Sequence, residues 1–367
     1  MPAVSYQPTE FDYSLPPELI AQFPAEPRDQ SQLLIVDRHS GALQPTRFAH
    51  LTDFLTANDV IVRNNTKVLP ARLWGKKSTG GKVEVLLVRP VGEATGAVWE
   101  CLTKPGLKPG QTVTFAPGFT ATCAAAIPTP TGASEATPYT RQLHFSTTNQ
   151  TFAQALNQNG HTPLPPYIQP PDSRETTLRR QYQTIFAQHD GSVAAPTAGL
   201  HFTPALDAAL CAKGVEIIEV TLHVGLGTFL PLQPEQLASG KLHPEWFQLG
   251  EEEARRLRRA KADGKRVIAV GTTTCRVLES NPDLVPRSGT TELFIRPGDR
   301  FRVVDSLITN FHLPKSSLLM LVSAFVSAPN TPTPFQSFPD SVIGQAYTYA
   351  VQEHWRFFSF GDAMWIV

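Results

Sequence analysis

Cysteine is scarce in this chain. The four present, Cys101, Cys123, Cys211 and Cys275, are widely spaced in 367 residues, with no C-x-x-C pair and no zinc-like spacing. A disulfide scaffold and a cysteine-held metal are both disfavoured, and a reducing, cytoplasmic setting is expected. Charge of one sign is also lacking: 32 basic residues balance 32 acidic ones. Unspecific attraction to duplex nucleic acid needs a strongly basic domain, so it has no support; a structured RNA met through a local patch stays open. No apolar run reaches membrane-spanning length. The longest, 316–327 (SSLLMLVSAFVS), reads as a buried helix. The N-terminal stretch lacks a basic start followed by an apolar core, so no signal peptide is expected. G-x-G-x-x-G, Walker, H-E-x-x-H and nucleophile-elbow patterns are missing too, which leaves dinucleotide, ATP, zinc-protease and serine-hydrolase readings without a carrier.

What is present is an alternation of short buried strands and helices. A chain of 367 residues predicts two domains. Buried strands are expected at 33–37 (LLIVD), 60–62, 215–222, 266–270 (RVIAV) and 303–307. Helices are expected at 48–55, 152–160, 176–188, 205–213, 251–263, 316–327 and 340–354. This alternation indicates an α/β layer with a mixed, largely parallel sheet. Between 69 and 150 the pattern changes to short β-rich runs cut by Gly and Pro turns, which predicts a small inserted antiparallel β-barrel. The first domain is then discontinuous, 1–68 with 151–367. Proline, 33 in all, gathers at 128–138, 163–171 and 329–339, segments that read as connectors or surface excursions.

Two runs within 194–231 carry one chemical theme. Pro196-Thr197-Ala198-Gly199-Leu200-His201-Phe202 and His223-Val224-Gly225-Leu226-Gly227-Thr228-Phe229 each set His, Thr and Phe beside glycine without a charge. Glycine lets backbone approach a ligand, so these runs read as two walls of one pocket. Gly271-Thr272-Thr273-Thr274 follows a buried strand and opens a helix, a natural seat for a carboxylate or phosphate, with Arg276 close by as a bidentate partner. His201, His223, His243 and His312 fall at predicted element ends, where they are candidate acids and bases. Glu245, two residues from His243, can orient an imidazole or stabilise positive charge. Asn310 lies beside His312. Arg63-Asn64-Asn65-Thr66-Lys67 with Arg72 forms a polar, basic patch suited to a phosphate backbone or a substrate. Lys82 and Glu84 share one strand face, as a surface pair or as part of the site.

Taken together, FDYSLPPELIAQFP, NNTKVLPARLWG, GGKVEVLL, PLPPYI, YQTIFA, VAAPTAGLHF, VTLHVGLGTF, LHPEW, VIAVGTTTCRVLES, TNFHLPKSSLLMLVSAF and RFFSFGDAM resemble the S-adenosylmethionine:tRNA ribosyltransferase-isomerase family of the queuosine pathway, over nearly the whole chain. The resemblance implies an α/β domain carrying a β-barrel. It also implies transfer and isomerisation of the donor's ribosyl moiety onto 7-aminomethyl-7-deazaguanine at the tRNA wobble position. The products are epoxyqueuosine-tRNA, adenine and methionine. S-adenosylmethionine is a consumed co-substrate, and neither a resident cofactor nor a metal is implied. On that reading His201, His223, His312, His243 and Glu245 serve catalysis. Thr197, Gly199, Gly225, Gly227, Thr228, Gly271, Thr272, Thr273, Arg276 and Asn310 bind substrate, Arg276 by way of the methionine carboxylate. Asn64, Asn65, Lys67, Arg72 and Lys82 meet tRNA, and the protein acts as a cytoplasmic monomer. The chain departs from the family at Gly240, where another His is expected three residues before His243, and in the proline-rich 329–339, taken as a neutral surface insertion. The rival readings are a tRNA-binding module without turnover and a His-dependent hydrolase.

Overall fold

The computed structural model describes residues 6–91, 97–126, 139–168, 174–225 and 232–367. The chain begins with β1 (Gln32–Val36), β2 (Leu43–Arg47), β3 (Asp59–Asn64) and β4 (Thr66–Val68). It then forms β5 (Arg72–Lys77), β6 (Lys82–Pro90), β7 (Val98–Lys104), β8 (Thr112–Ala116), β9 (Phe119–Ala126) and β10 (Tyr139–Thr147). Helices α1 (Phe152–Asn159) and α2 (Glu175–Gln181), strand β11 (His189–Ser192), helix α3 (Pro204–Ala212) and strand β12 (Glu216–Leu222) follow. Next come α4 (Pro234–Ser239), β13 (Lys241–Leu249), α5 (Glu251–Ala262), β14 (Arg266–Val270), α6 (Thr272–Glu279) and β15 (Arg287–Leu293). The chain closes with β16 (Ser306–Asn310), α7 (Ser317–Phe325), α8 (Val342–Gln352) and β17 (Ala363–Ile366).

Nine strands form one mixed sheet in the order β15-β13-β12-β3-β14-β16-β17-β1-β2, and β5 to β10 close into a separate barrel. The four central strands, β12-β3-β14-β16, run parallel. Their apolar runs have a simple cause: a strand covered on both faces needs hydrophobic residues at every position. Along β3, Val60 and Val62 enter the core under α5, α6, α7 and α8, while Ile61 enters the opposite core with Leu206 and Leu210 of α3. Strand β13 lies outside the parallel block. There Glu245, Phe247 and Leu249 are buried and Trp246 and Gln248 are exposed, the alternation of a half-covered antiparallel strand. In the barrel, Leu73, Val83, Val85 and Val113 point inward, and Ala155 and Leu156 of α1 complete its core.

Because β12, β3, β14 and β16 are parallel, their carboxyl ends emerge on one edge. Loops at that edge of an open α/β sheet are where ligands bind, above all where crossovers leave to opposite sides. β3 is such a place, with β12 on one side and β14 on the other.

Several expectations change. The helix foreseen over 176–188 stops at Gln181, because Tyr182 turns into the core and the Gln183 side chain takes the role of a strand partner. Its amide donates to Val68 O (2.7 Å) and accepts from Val68 N–H (3.0 Å). His243-Pro244-Glu245 is not a loop but part of β13, where the register against β15 shifts between Lys241 and Glu245. Gly240, in the place of the expected His, has φ +67° and caps α4, a left-handed position that suits glycine. The 329–339 segment is no neutral excursion. Phe335 stacks on Phe11 at 5.0 Å and Phe338 packs on Tyr347, so the segment clasps the N-terminal stretch to α8.

The cluster 63–65 is buried rather than presented to solvent. Arg63 pairs with Asp207 (2.7 Å) and Glu219 (2.9 Å) and lies over the Phe186 ring. The Asn64 amide donates to Leu222 O (3.0 Å) and Thr273 Oγ1 (3.3 Å) and accepts from Leu222 N–H (3.0 Å) and Thr66 N–H (3.1 Å). Asn65 accepts from Thr221 Oγ1 at 2.7 Å. Neither asparagine is therefore open to a phosphate backbone. Asn64→Ala is expected to destabilise the fold by about 3 kcal/mol, because buried backbone groups lose their partners. An unchanged urea midpoint would refute this structural role.

Candidate active site

A narrow cleft opens at the carboxyl edge of the parallel strands. Its floor is Gly271, Thr272 and Thr273 at the start of α6. Pro196 and Thr197 form one wall, and Asn310 and His312 after β16 form another. Gly271 has φ +87°, so a side chain there is strained and the abrupt turn from β14 into α6 calls for glycine. No side chain caps this helix start, which leaves its N–H groups and positive dipole end facing the cleft. Thr273 Oγ1 is held by Asn64. Tyr167, Phe358 and Ser359 close the far side, and Tyr167 shares a 2.8 Å hydrogen bond with Ser359.

A second, larger cleft of about 890 Å³ lies between the barrel and the sheet. Val88, Trp99 and Leu102 of the barrel and Phe152 of α1 face His223, Gly225, His243, Glu245 and Trp246. Val224 lines both clefts, so the two lie side by side across it, with His223, Gly225 and Glu245 on the side of the larger one. The His223 ring is fixed on several sides. Nδ1 shares a 2.8 Å hydrogen bond with Thr66 Oγ1, and the ring stacks on Trp246 at 4.8 Å. Gly191 leaves room for it, since a Cβ at 191 would meet Nε2 at 2.5 Å. Burial, with a smaller push from His189, lowers its pKa to about 4, so the imidazole is neutral at neutral pH.

Glu245 lines the larger cleft and is buried. One carboxylate oxygen accepts the Gly225 N–H at 2.9 Å, and the other is paired with the buried Arg276 guanidinium. Arg276 also donates to Leu293 O at 3.2 Å. It lines neither cleft: Nη1 is paired with Glu245 and Nε with Leu293 O, while the buried Nη2 has no hydrogen-bond partner among the described residues.

His201 is likewise set back from both clefts. Its Nδ1 bonds Ser31 Oγ (2.7 Å), its Nε2 bonds the Asn310 amide (3.1 Å), and Phe48 stacks on it. With both nitrogens occupied it positions Asn310 rather than meeting substrate. The Asn310 amide nitrogen also faces Asp362 O (3.4 Å), and Oδ1 has no hydrogen-bond partner among the described residues. His312 does line the first cleft, with Nε2 tied to Thr309 Oγ1 at 2.9 Å and its backbone N–H donated to the Tyr347 hydroxyl. Burial lowers the pKa of His201 and of His312 to about 3.

Of the remaining candidates, Gly199 faces Phe186 and Thr184 rather than a cleft; a Cβ there would meet Phe186 at 2.7 Å. Gly227 and Thr228 lie outside the described residues. Lys67 pairs with Asp190 (3.3 Å), Arg72 with Glu84 (3.4 Å), and Lys82 is exposed on the barrel. Sequence reasoning missed Ser31, Gly191 and Trp246 and placed Thr66 only in the basic patch; all four contact a histidine. Gly191 in the HDGS run and Trp246 beside Glu245 had a weak signal; Ser31, far away in sequence, had none.

An α/β sheet with an uncapped helix start in one cleft, a neutral histidine and a buried carboxylate at a neighbouring one, and a barrel across from them are the features of an enzyme site. The chain belongs to the family described as queuosine biosynthesis protein, which it matches over residues 8–366. It is 46% identical over 363 residues to the S-adenosylmethionine:tRNA ribosyltransferase-isomerase of Carboxydothermus hydrogenoformans, covering 98% of this chain and 99% of that protein. The enzyme of the same name from Thermotoga maritima is 43% identical over 364 residues, again covering 98% and 99%. The crystal structure of a Thermotoga maritima S-adenosylmethionine tRNA ribosyltransferase aligns with a TM-score of 0.52 at 35% identity, over 98% of this chain and all of that one.

The three depressed histidines set a pH dependence. In the unfolded chain they titrate near the ordinary 6.5, whereas folded His201 and His312 titrate at about 3 and His223 at about 4. As pH falls below 6.5 the unfolded state binds protons that the folded state does not, so this stability is full above 6.5 and is lost on acidification. His312→Gln is expected to remove about one proton from the pH slope of stability, about 1.4 kcal/mol per pH unit. Urea melts with the same slope in both proteins would overturn it.

Proposed function

We propose that the chain carries the activity for which its relatives are named, transfer and isomerisation of the ribosyl moiety of S-adenosylmethionine onto tRNA in queuosine biosynthesis. The acceptor is the aminomethyl group of 7-aminomethyl-7-deazaguanine at the wobble position, and the products are epoxyqueuosine-tRNA, adenine and methionine. The observation that carries this reading is that two clefts lie side by side across Val224, with His223 and Glu245 lining the larger one. A small donor and a large acceptor need separate, adjacent entrances.

We place the donor at the smaller cleft. Its methionine carboxylate takes the N–H groups at the start of α6. Thr197 and Asn310 face the nucleoside, and the unpartnered Asn310 Oδ1 suits an amino group. The wobble base enters the larger cleft from a single-stranded loop, so little pairing energy is lost in presenting it. The chemistry moves several protons. The sulfonium acidifies the 5′-carbon, the acceptor's ammonium must lose a proton before nitrogen attacks, and adenine leaves more readily when protonated. A histidine held neutral beside the acceptor cleft can take such a proton, and we assign that role to His223. Glu245 faces the positive charge that develops on the ribosyl group. Arg276 aims that carboxylate, while His201 aims Asn310. His312 lines the donor side. S-adenosylmethionine is consumed, and no resident cofactor takes part. We take the protein to act in the cytoplasm as a monomer.

The test follows adenine release from S-adenosylmethionine with tRNA bearing the aminomethyl base. His223→Ala and Glu245→Gln are each expected to lower kcat by about 10²- to 10⁴-fold, and no adenine release by the unaltered protein would sink the reading. Arg276→Lys is expected to lower kcat while leaving donor affinity by calorimetry unchanged. Weakened donor binding would return Arg276 to the donor's carboxylate.

A further inference from the structure

We propose that the outer face of β5, β6 and β7 is the surface on which the anticodon arm docks, with an unpaired base stacked on Trp74 and phosphates on Lys76, Lys82 and Lys104. This rests on the RNA-directed activity given above and names the surface that serves it.

Strand pairing places these side chains on one face. Three successive rungs run Leu102–Leu86–Arg72, then Lys104–Glu84–Trp74, then Lys82–Lys76–Thr114. The residues between them, Leu73, Val83, Val85 and Thr103, are buried in the barrel, so the rung residues point outward. Trp74 is 53% exposed, more than any other large hydrophobic among the described residues. An indole left in water on a regular strand is an unsatisfied apolar surface, and here it is ringed by cations. Glu84 is the one carboxylate on the three rungs, and Arg72 pairs with it at 3.4 Å. That leaves Lys76, Lys82 and Lys104 exposed, with no side-chain ion pair or hydrogen bond among the described residues. In a chain with no net charge, three uncompensated lysines around an open indole form a local cationic, aromatic strip.

The occupant follows from this chemistry. Lysines neutralise phosphates, and an exposed aromatic face stacks on any unpaired base; together they suit single-stranded or looped RNA rather than a duplex. Position agrees, because Leu102 on the first rung also lines the cleft assigned to the wobble base. Two steps from that rung to the lysine rung span about 14 Å, roughly four stacked nucleotides at 3.4 Å each. Nucleotides that flank a base entering this cleft on its Leu102 side lie within that span of the strip.

The test is fluorescence anisotropy with a labelled anticodon stem–loop RNA and, in parallel, a blunt duplex of the stem alone, over a range of salt. Trp74→Ala is expected to weaken stem–loop binding roughly tenfold, with Trp74→Phe recovering most of it and the duplex unaffected. The triple change Lys76→Ala, Lys82→Ala, Lys104→Ala is expected to reduce the slope of log affinity against log salt by about 2, from three phosphates at about 0.7 each. Donor binding by calorimetry reports that each variant is folded. Stem–loop affinity and salt slope equal to those of the unaltered protein overturn the proposal, as does an equal Trp74→Ala effect on the duplex. If the unaltered protein releases adenine while the variants bind normally, the surface alone is wrong. If it binds the stem–loop through this strip without releasing adenine, the activity is wrong and the surface stands.

Discussion

The amide of Asn64 joins the elements from which both clefts are built. Backbone pairing between β3 and β12 ends at Asn64, and the amide continues it by taking both the N–H and the C=O of Leu222. The next residue is His223. The same side chain holds Thr66, whose hydroxyl bonds the His223 ring, and Thr273, in the first turn of α6. One buried amide thus sets the approach of a histidine in one cleft and of a helix start in the other. A primary amide suits this task because its two donors and its carbonyl oxygen sit in a rigid plane.

Charge is handled by a second constraint. Arg276 and Glu245 are both buried, where an unpaired ion costs several kcal/mol and a paired one persists only with good geometry. The pair survives because Gly225 N–H also bonds the carboxylate and Leu293 O the guanidinium. A carboxylate is thereby held at the larger cleft, which it lines together with a histidine that burial keeps neutral. Proton acceptor and electrostatic stabiliser are thus distinct groups with distinct surroundings.

Much of this was legible in the residues. The apolar runs at 60–62 and 266–270 read as buried strands, and the turn-rich segment from 69 read as a barrel, because strand burial leaves a direct mark on sequence. The glycine-threonine turn after β14 was legible for the same local reason: a positive φ followed by a helix start requires Gly271. The roles of Arg276, Asn64, Asn65 and His201 were not legible. Each is polar and near a glycine or an element end, and such residues look alike whether they face a ligand or a buried partner.

By itself, then, the sequence determined the alternation of strands and helices, the inserted barrel and the family to which the chain belongs. These depend on local periodicity and on motifs that keep their order along the chain. Only the tertiary structure decided which polar side chains face a cleft. Ser31 meets His201 across 170 positions and Thr66 meets His223 across 157. Hydrogen bonds and ion pairs are short-ranged in space but unconstrained in sequence, so they appear only once the parallel strands bring their carboxyl ends to one edge.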